Sequence, residues 1–143
     1  MTVQAILNLK GGDVTTGSPS MSLAEVCRTL ADKRIGAIVV TGEDGRVAGI
    51  VSERDVVRVI AAGGMAALEQ PVSRAMTANV VTCNRKHGVN EVMEIMTRGR
   101  FRHLPVVEDG RLVGIISIGD VVKHRIAEIE REAEEIRNYI ATA

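Results

Sequence analysis

Two short stretches of this 143-residue chain combine residue types able to hold a polar ligand. Gly49-Ile50-Val51-Ser52-Glu53-Arg54-Asp55 and Gly114-Ile115-Ile116-Ser117-Ile118-Gly119-Asp120 share the pattern Gly-apolar-apolar-Ser-x-x-Asp, each between a strand-like run and a helical one. At such a junction the free N–H groups of the first helical turn lie beside a hydroxyl, an arrangement ready to hold a phosphate. An Asp one turn further in is placed to accept hydrogen bonds from ribose hydroxyls. The same residues can serve the helix alone, with Ser52 or Ser117 as its cap and Asp55 or Asp120 complementing its dipole. The two uses are compatible, and the pattern does not choose between them.

Cations suited to phosphate include Lys10, Arg54, Arg100, Arg102 and, when protonated, His103. For Lys10 and Arg54 a solvated surface charge is the simpler reading. Arg102 and His103 immediately precede an apolar strand, and there the ligand reading is preferred. Other chemistries lack their parts: the chain has no nucleophile elbow, no phosphate loop ending in Gly-Lys-Ser/Thr and no paired catalytic carboxylates, and Gly11-Gly12-Asp13 is too short to cradle phosphate. No enzyme is expected. His87, His103 and His124 show no ligand spacing with Cys or carboxylates, so no metal is expected either. Cys27 and Cys83 sit singly in apolar stretches and read as buried thiols of a reducing compartment.

The elements that must position these residues come from a duplication. Ser22–Thr41 lies over Gly88–Val107 at an offset of 66, with Glu25 on Glu91 and Arg34 on Arg100; beyond the turn the offset becomes 65. In the first copy Leu23, Val26, Cys27 and Leu30 come after the candidate cap Ser22 at helical spacing. A strand over Ala37–Thr41, a Gly42–Gly45 turn and a strand over Val47–Val51 make a hairpin, and a helix runs from Ser52 through Ala62. The second copy predicts a helix near Val89–Arg98, strands at Leu104–Val107 and Leu112–Ile116 around an Asp109-Gly110 turn, and a helix from about Ile118. Short apolar lead-ins, Val14–Thr16 and Val80–Thr82, precede the copies, and Gly63-Gly64 and Pro71 mark the passage between them.

The fold class is therefore α/β, two βαββα units packed through their sheets about a pseudo-two-fold axis, because neither unit can cover its own hairpin face. The expected organisation is a first repeat over 1–66, a second over 67–124 and an amphipathic C-terminal helix over 125–143. The helix carries Ile126, Ile129, Ala133, Ile136 and Ile140 at steps of three and four, a stripe that either docks on its own body or, as preferred, meets a mate in a homodimer.

The 18 basic and 18 acidic residues cancel, and Phe101 and Tyr139 are the only aromatic residues. A nucleic-acid partner normally needs a basic excess and stacking platforms, so none is expected. No window approaches a membrane span, and Met1-Thr2-Val3-Gln4 begins without a basic segment and apolar run, so the expected location is the cytoplasm.

With Arg102-His103-Leu104-Pro105-Val106-Val107, the two Ser-x-x-Asp turns resemble a tandem CBS-domain pair, and the likeness runs from about Ile6 to His124. The resemblance implies a disc of two units, often dimeric, with adenosine ligands such as AMP, ATP or NAD in clefts between repeats. It implies that Ser52 and Asp55 serve one cleft and Ser117 and Asp120 the other, with Thr16 or Thr82 near base or sugar. Main-chain groups of the first hairpin strand, around Gly36-Ala37 and His103-Leu104-Pro105, would read the adenine edge. Where the second copy has Arg102-His103-Leu104-Pro105 the first has Gly36-Ala37-Ile38-Val39, without the cations and proline, so the clefts should not be equivalent. The expected function is a regulatory adenine-nucleotide sensor acting through a dimer or on a protein in trans; the alternative is a ligand-free interaction module.

Overall fold

The computed structural model describes residues 1–142. Helix α1 (Val3–Lys10) leads to a two-residue strand β1 (Thr16–Gly17), then α2 (Leu23–Lys33), the hairpin β2 (Ala37–Thr41) and β3 (Val47–Ser52), and α3 (Glu53–Gly63). Two 3-10 turns, Met65–Glu69 and Val72–Arg74, carry the chain to α4 (Val89–Gly99), the hairpin β4 (His103–Glu108) and β5 (Arg111–Ser117), and α5 (Ile118–Thr142). The strands form a three-stranded sheet in the order β1-β2-β3 and a two-stranded sheet of β4 and β5. The fold is the expected α/β pair of similar units with a long C-terminal helix.

The duplication reaches down to backbone detail. Helices α2 and α4 both end on an arginine in the left-handed region, Arg34 at φ 54° and Arg100 at φ 57°. A non-glycine residue there costs about 1–2 kcal/mol, so the sharp turn is enforced by the packing of the hairpin it leads into. Both hairpins shift register one pair after a glycine's partner: Val40 opposes Gly49 before one irregularity, and Val106 opposes Gly114 before the other. Gly17 pairs in parallel with Val40, and Cys83 makes an isolated parallel bridge to Val106, the same register 66 residues on. The second lead-in is thus reduced to one bridge at Cys83, and Thr82 lies outside any strand.

Each lead-in begins under the other repeat. Val3, Ile6 and Leu7 of α1 are buried in a core with Val89, Val92, Met96, Leu104, Val106, Ile116 and Val121, all of the second copy. Val72 and Ala75, just before the second copy, are buried with Leu23, Val26, Leu30, Ile38, Val40, Val51 and Val56 of the first. The chain then crosses: Ile50 and Thr77 exchange both backbone hydrogen bonds, at 3.0 and 2.9 Å. Gly49 permits this approach, since a Cβ there would stand 2.9 Å from the Thr77 carbonyl oxygen. Helix α1 has no counterpart among the expected elements; Thr2 gives it no side-chain cap, and its apolar residues are stabilised by the distant second repeat.

Candidate functional site

Both Ser-x-x-Asp turns fold as reciprocal caps. At α3, Asp55 N–H donates to Ser52 Oγ at 3.4 Å, while Ser52 N–H and Oγ–H donate to Asp55 Oδ2 at 2.8 and 3.1 Å. At α5, Asp120 N–H donates to Ser117 Oγ at 3.1 Å and Ser117 N–H to Asp120 Oδ2 at 2.9 Å. Each hairpin also feeds its helix alike: Glu53 N–H donates to Gly36 O and Ile118 N–H to Arg102 O, at 3.0 and 2.8 Å. Capping uses part of each carboxylate and leaves lone pairs for other donors.

Those donors differ between the copies. Asp55 is buried, and its Oδ1 pairs with Arg58, one turn along the same helix. Asp120 instead takes Lys10 from the far end of the chain, Nζ to Oδ2 at 2.6 Å, and the same ammonium donates to Ile115 O at 2.9 Å. Burial alone would raise the Asp120 carboxyl, but the Lys10 and Ser117 hydrogen bonds and the Lys10 charge outweigh it and hold the group below its ordinary value.

A cleft of about 540 Å³ opens between the repeats, within the range of small-molecule sites. Of the predicted residues it gathers Gly36, Ser52, Arg54, Asp55, Arg100, Arg102, His103 and Ser117. Lys10, Thr16, Ala37, Thr82, Leu104, Pro105 and Asp120 do not line it. Leu104 and Pro105 are buried in the hairpin, Ala37 is buried beside Gly36, and Thr16 and Thr82 are exposed elsewhere. The cleft therefore brings together the Ser-x-x-Asp turn of the first copy, the Arg-rich entry to the hairpin of the second, and Ser117–Gly119 of the second turn without its Asp120.

Four arginines, Arg54 and Arg58 on α3 with Arg100 and Arg102 from the second copy, line this space against the two carboxylates Glu53 and Asp55, an excess of positive charge suited to an anion. His103 closes the floor: a Cβ on Gly36 would lie 3.1 Å from its ring, so the glycine is what admits the imidazole. Burial holds His103 below its ordinary value, against Glu53 and Asp120, which raise it. The ring is thus biased toward its neutral form, able to donate one hydrogen bond and accept another.

Residues the sequence reading passed over also line the cleft. Arg58 was signalled by its i,i+3 spacing from Asp55, and Phe101 by being the only phenylalanine. Gly99 leaves room for that ring, since a Cβ there would overlap it. Thr77 and Asn79 arrive from the inter-repeat segment and carry no local pattern that marks them, while Val80 and Val81 come from the expected apolar lead-in. Cys83 lies outside, and burial pushes its thiol up to about 11. Among the described residues no group of His, Cys, Asp and Glu is clustered to hold a metal ion, and no helix is long and apolar enough to cross a membrane.

The family model of the CBS domain matches residues 12–62 and again 72–127. The CBS domain-containing protein CBSCBSPB5 of Arabidopsis thaliana is 34% identical over 116 residues, which are 81% of this chain and 21% of that protein. The chain thus spans about a fifth of the length of such plant relatives. The crystal structure of the CBS-domain containing protein ATU1752 from Agrobacterium tumefaciens superposes with a TM-score of 0.84 at 55% identity, covering 87% of this chain and 92% of that one. CBS domain protein PAE2072 from Pyrobaculum aerophilum, solved complexed with AMP, gives 0.75 at 29% identity, covering 84% and 89%.

Proposed function

The chain belongs to the CBS-domain family, and on that premise we propose that it is a regulatory sensor of an adenine nucleotide of the AMP, ATP or NAD type. The observation that carries this reading is the inter-repeat cleft, where a capped helix N-terminus with Ser52 and Asp55 faces Arg100 and Arg102 across a space sized for a nucleotide. Ribose hydroxyls would donate to Asp55, phosphates would meet the arginines and the α3 N-terminus, and the base would take the side of Phe101 and Val80–Val81. The AMP held by the Pyrobaculum aerophilum relative supports an adenosine ligand.

The cleft binds and does not transform. Its residues offer no activated nucleophile, and the Asp55 carboxylate is fixed by its serine cap and by Arg58 as an acceptor of hydrogen bonds. Output comes from bias: a ligand touching both repeats shifts whichever arrangement it fits better, and a homodimer or a protein in trans reads the shift in the cytoplasm. For Asp120 of the second Ser-x-x-Asp turn the ligand-free reading is favoured, because it lies outside the cleft lining and is held by Lys10.

A thermal-shift panel of AMP, ATP, NAD and adenosine tests the proposal. A ligand at about a hundred times its Kd stabilises the native state by about 2.7 kcal/mol and raises Tm. No shift with any adenosine compound leaves the interaction module as the function.

A further inference from the structure

Helix α5 is 25 residues long, about 37 Å at 1.5 Å per residue, but the body of the protein anchors only its beginning. Val121 and His124 are its buried residues, and from Glu130 to Thr142 every side chain except Ala133 is exposed. A free helical segment of a dozen residues is marginal in water, so something must cover it. Val122, Ile126, Ile129, Ala133, Ile136 and Ile140 fall at alternating steps of four and three, the d and a positions of a heptad. The isoleucines among them are 50–68% exposed in the single chain.

The charges beside this stripe choose its occupant. Arg125 and Glu132 take the g positions, and Lys123, Glu130 and Arg137 the e positions. In a parallel two-stranded coiled coil a g residue meets the e residue five places later on the other helix. Arg125 then faces the second copy's Glu130, and Glu132 faces the second copy's Arg137, each contact occurring twice by symmetry. Antiparallel helices in full overlap would set e against e and g against g, bringing Glu130 onto Glu130, Glu132 onto Glu132 and Lys123 onto Arg137. One orientation pairs opposite charges and the other pairs like ones. Arg125 now holds Glu128 of its own helix at 3.0 Å, a local contact it exchanges or shares on pairing.

We infer that α5 is a parallel two-stranded zipper joining this chain to a second copy of itself. The zipper rests on the homodimer reading of the proposed function and adds its surface and orientation. It sets the two-fold axis along the helix pair, with the two bodies side by side at one end and the C-termini together at the other.

Sedimentation velocity on the full chain and on Ile129→Asp/Ile136→Asp is the first test, with circular dichroism to show that the variant's body stays folded. A dimeric parent and a monomeric variant are expected. A monomeric parent overturns both the zipper and the dimer reading, whereas a variant that stays dimeric overturns the zipper alone. Orientation is read from Ile140→Cys in a Cys27→Ser background under mild oxidation. Parallel helices bring the two introduced thiols together and cross-link most of the dimer, while absence of a cross-link in a stripe-dependent dimer overturns the parallel arrangement. Glu130→Arg/Glu132→Arg and Arg125→Glu/Arg137→Glu should each be monomeric alone and should dimerise on mixing. Failure of the mixture to pair removes the charge argument.

Discussion

Replacing the two motif aspartates one at a time should give unequal losses of nucleotide binding. In the fold the residues are near equals: Asp55 and Asp120 each accept the N–H of the serine three residues before, at 2.8 and 2.9 Å. Removing either acceptor should cost about 1 kcal/mol of stability, the usual worth of a helix cap. For the ligand they differ, because Asp55 lines the 540 Å³ cleft and Asp120 does not. Hydrogen bonds from ribose hydroxyls to a carboxylate are worth about 1.5–3 kcal/mol, so Asp55→Ala should weaken AMP by about 10- to 100-fold, and Asp120→Ala by less than about threefold. A second titrant sharpens the test. Asp55→Ala also frees Arg58, which adds positive charge near the phosphate, so the loss should be larger for adenosine than for AMP. Isothermal titration of both ligands, with melting curves to verify folding, measures all four values. If Asp120→Ala costs as much as Asp55→Ala, the placement of the ligand beside the first motif is wrong.

Lys10→Met should lower stability at pH 7 by no more than about 1 kcal/mol, since the ion pair with Asp120 is partly exposed. The Asp120 carboxyl is held below its ordinary value, so this contribution is full above the normal carboxylate range and fades as pH falls through the lowered one; urea unfolding at pH 7 and pH 3 should show the variant and parent converging. Arg100→Ala/Arg102→Ala should weaken ATP more than AMP and adenosine least, and should flatten the salt dependence of ATP binding, both read by titration at two ionic strengths. Gly49→Ala should cost about 1–3 kcal/mol in urea unfolding, because its Cβ would press Met76 and the Thr77 carbonyl off β3. With a thiol reagent at pH 8, Cys27 should react first and Cys83, with its thiol pushed up to about 11 and its side chain buried, only as fast as the protein opens.

The repeated parts of the fold were legible because duplication doubles each local signal. Ser22 and Gly88 open helices, Gly42–Gly45 and Asp109-Gly110 close hairpins, and Ser52 and Ser117 cap the helices beyond them, all within a few residues of the expected bounds. Cleft residues attached to these signals, such as Ser52, Asp55 and His103, were readable for the same reason. Thr77 and Asn79 were not, since their place depends on a crossing held by the distant Ile50. Lys10 shows the limit differently: it reads as a surface charge or as a cation for phosphate, but the fold pairs it with an anion 110 residues away. Helix α1 offered Val3, Ile6, Leu7 and Lys10 at helical spacing, yet eight residues without a cap carry little weight until a partner surface exists.

The crossed lead-ins bear on how the chain emerges from the ribosome. Val3, Ile6 and Leu7 are made before either repeat, but their core includes Ile116 and Val121, so α1 must wait until the second repeat has been synthesised. Closing contacts so distant in sequence is slow, and the waiting apolar segment is a target for chaperones or mispairing. The first repeat cannot finish early either, because Val72 and Ala75 complete its core from beyond its own hairpin. Division at the midpoint should therefore yield two fragments that fold poorly apart and complement each other when mixed.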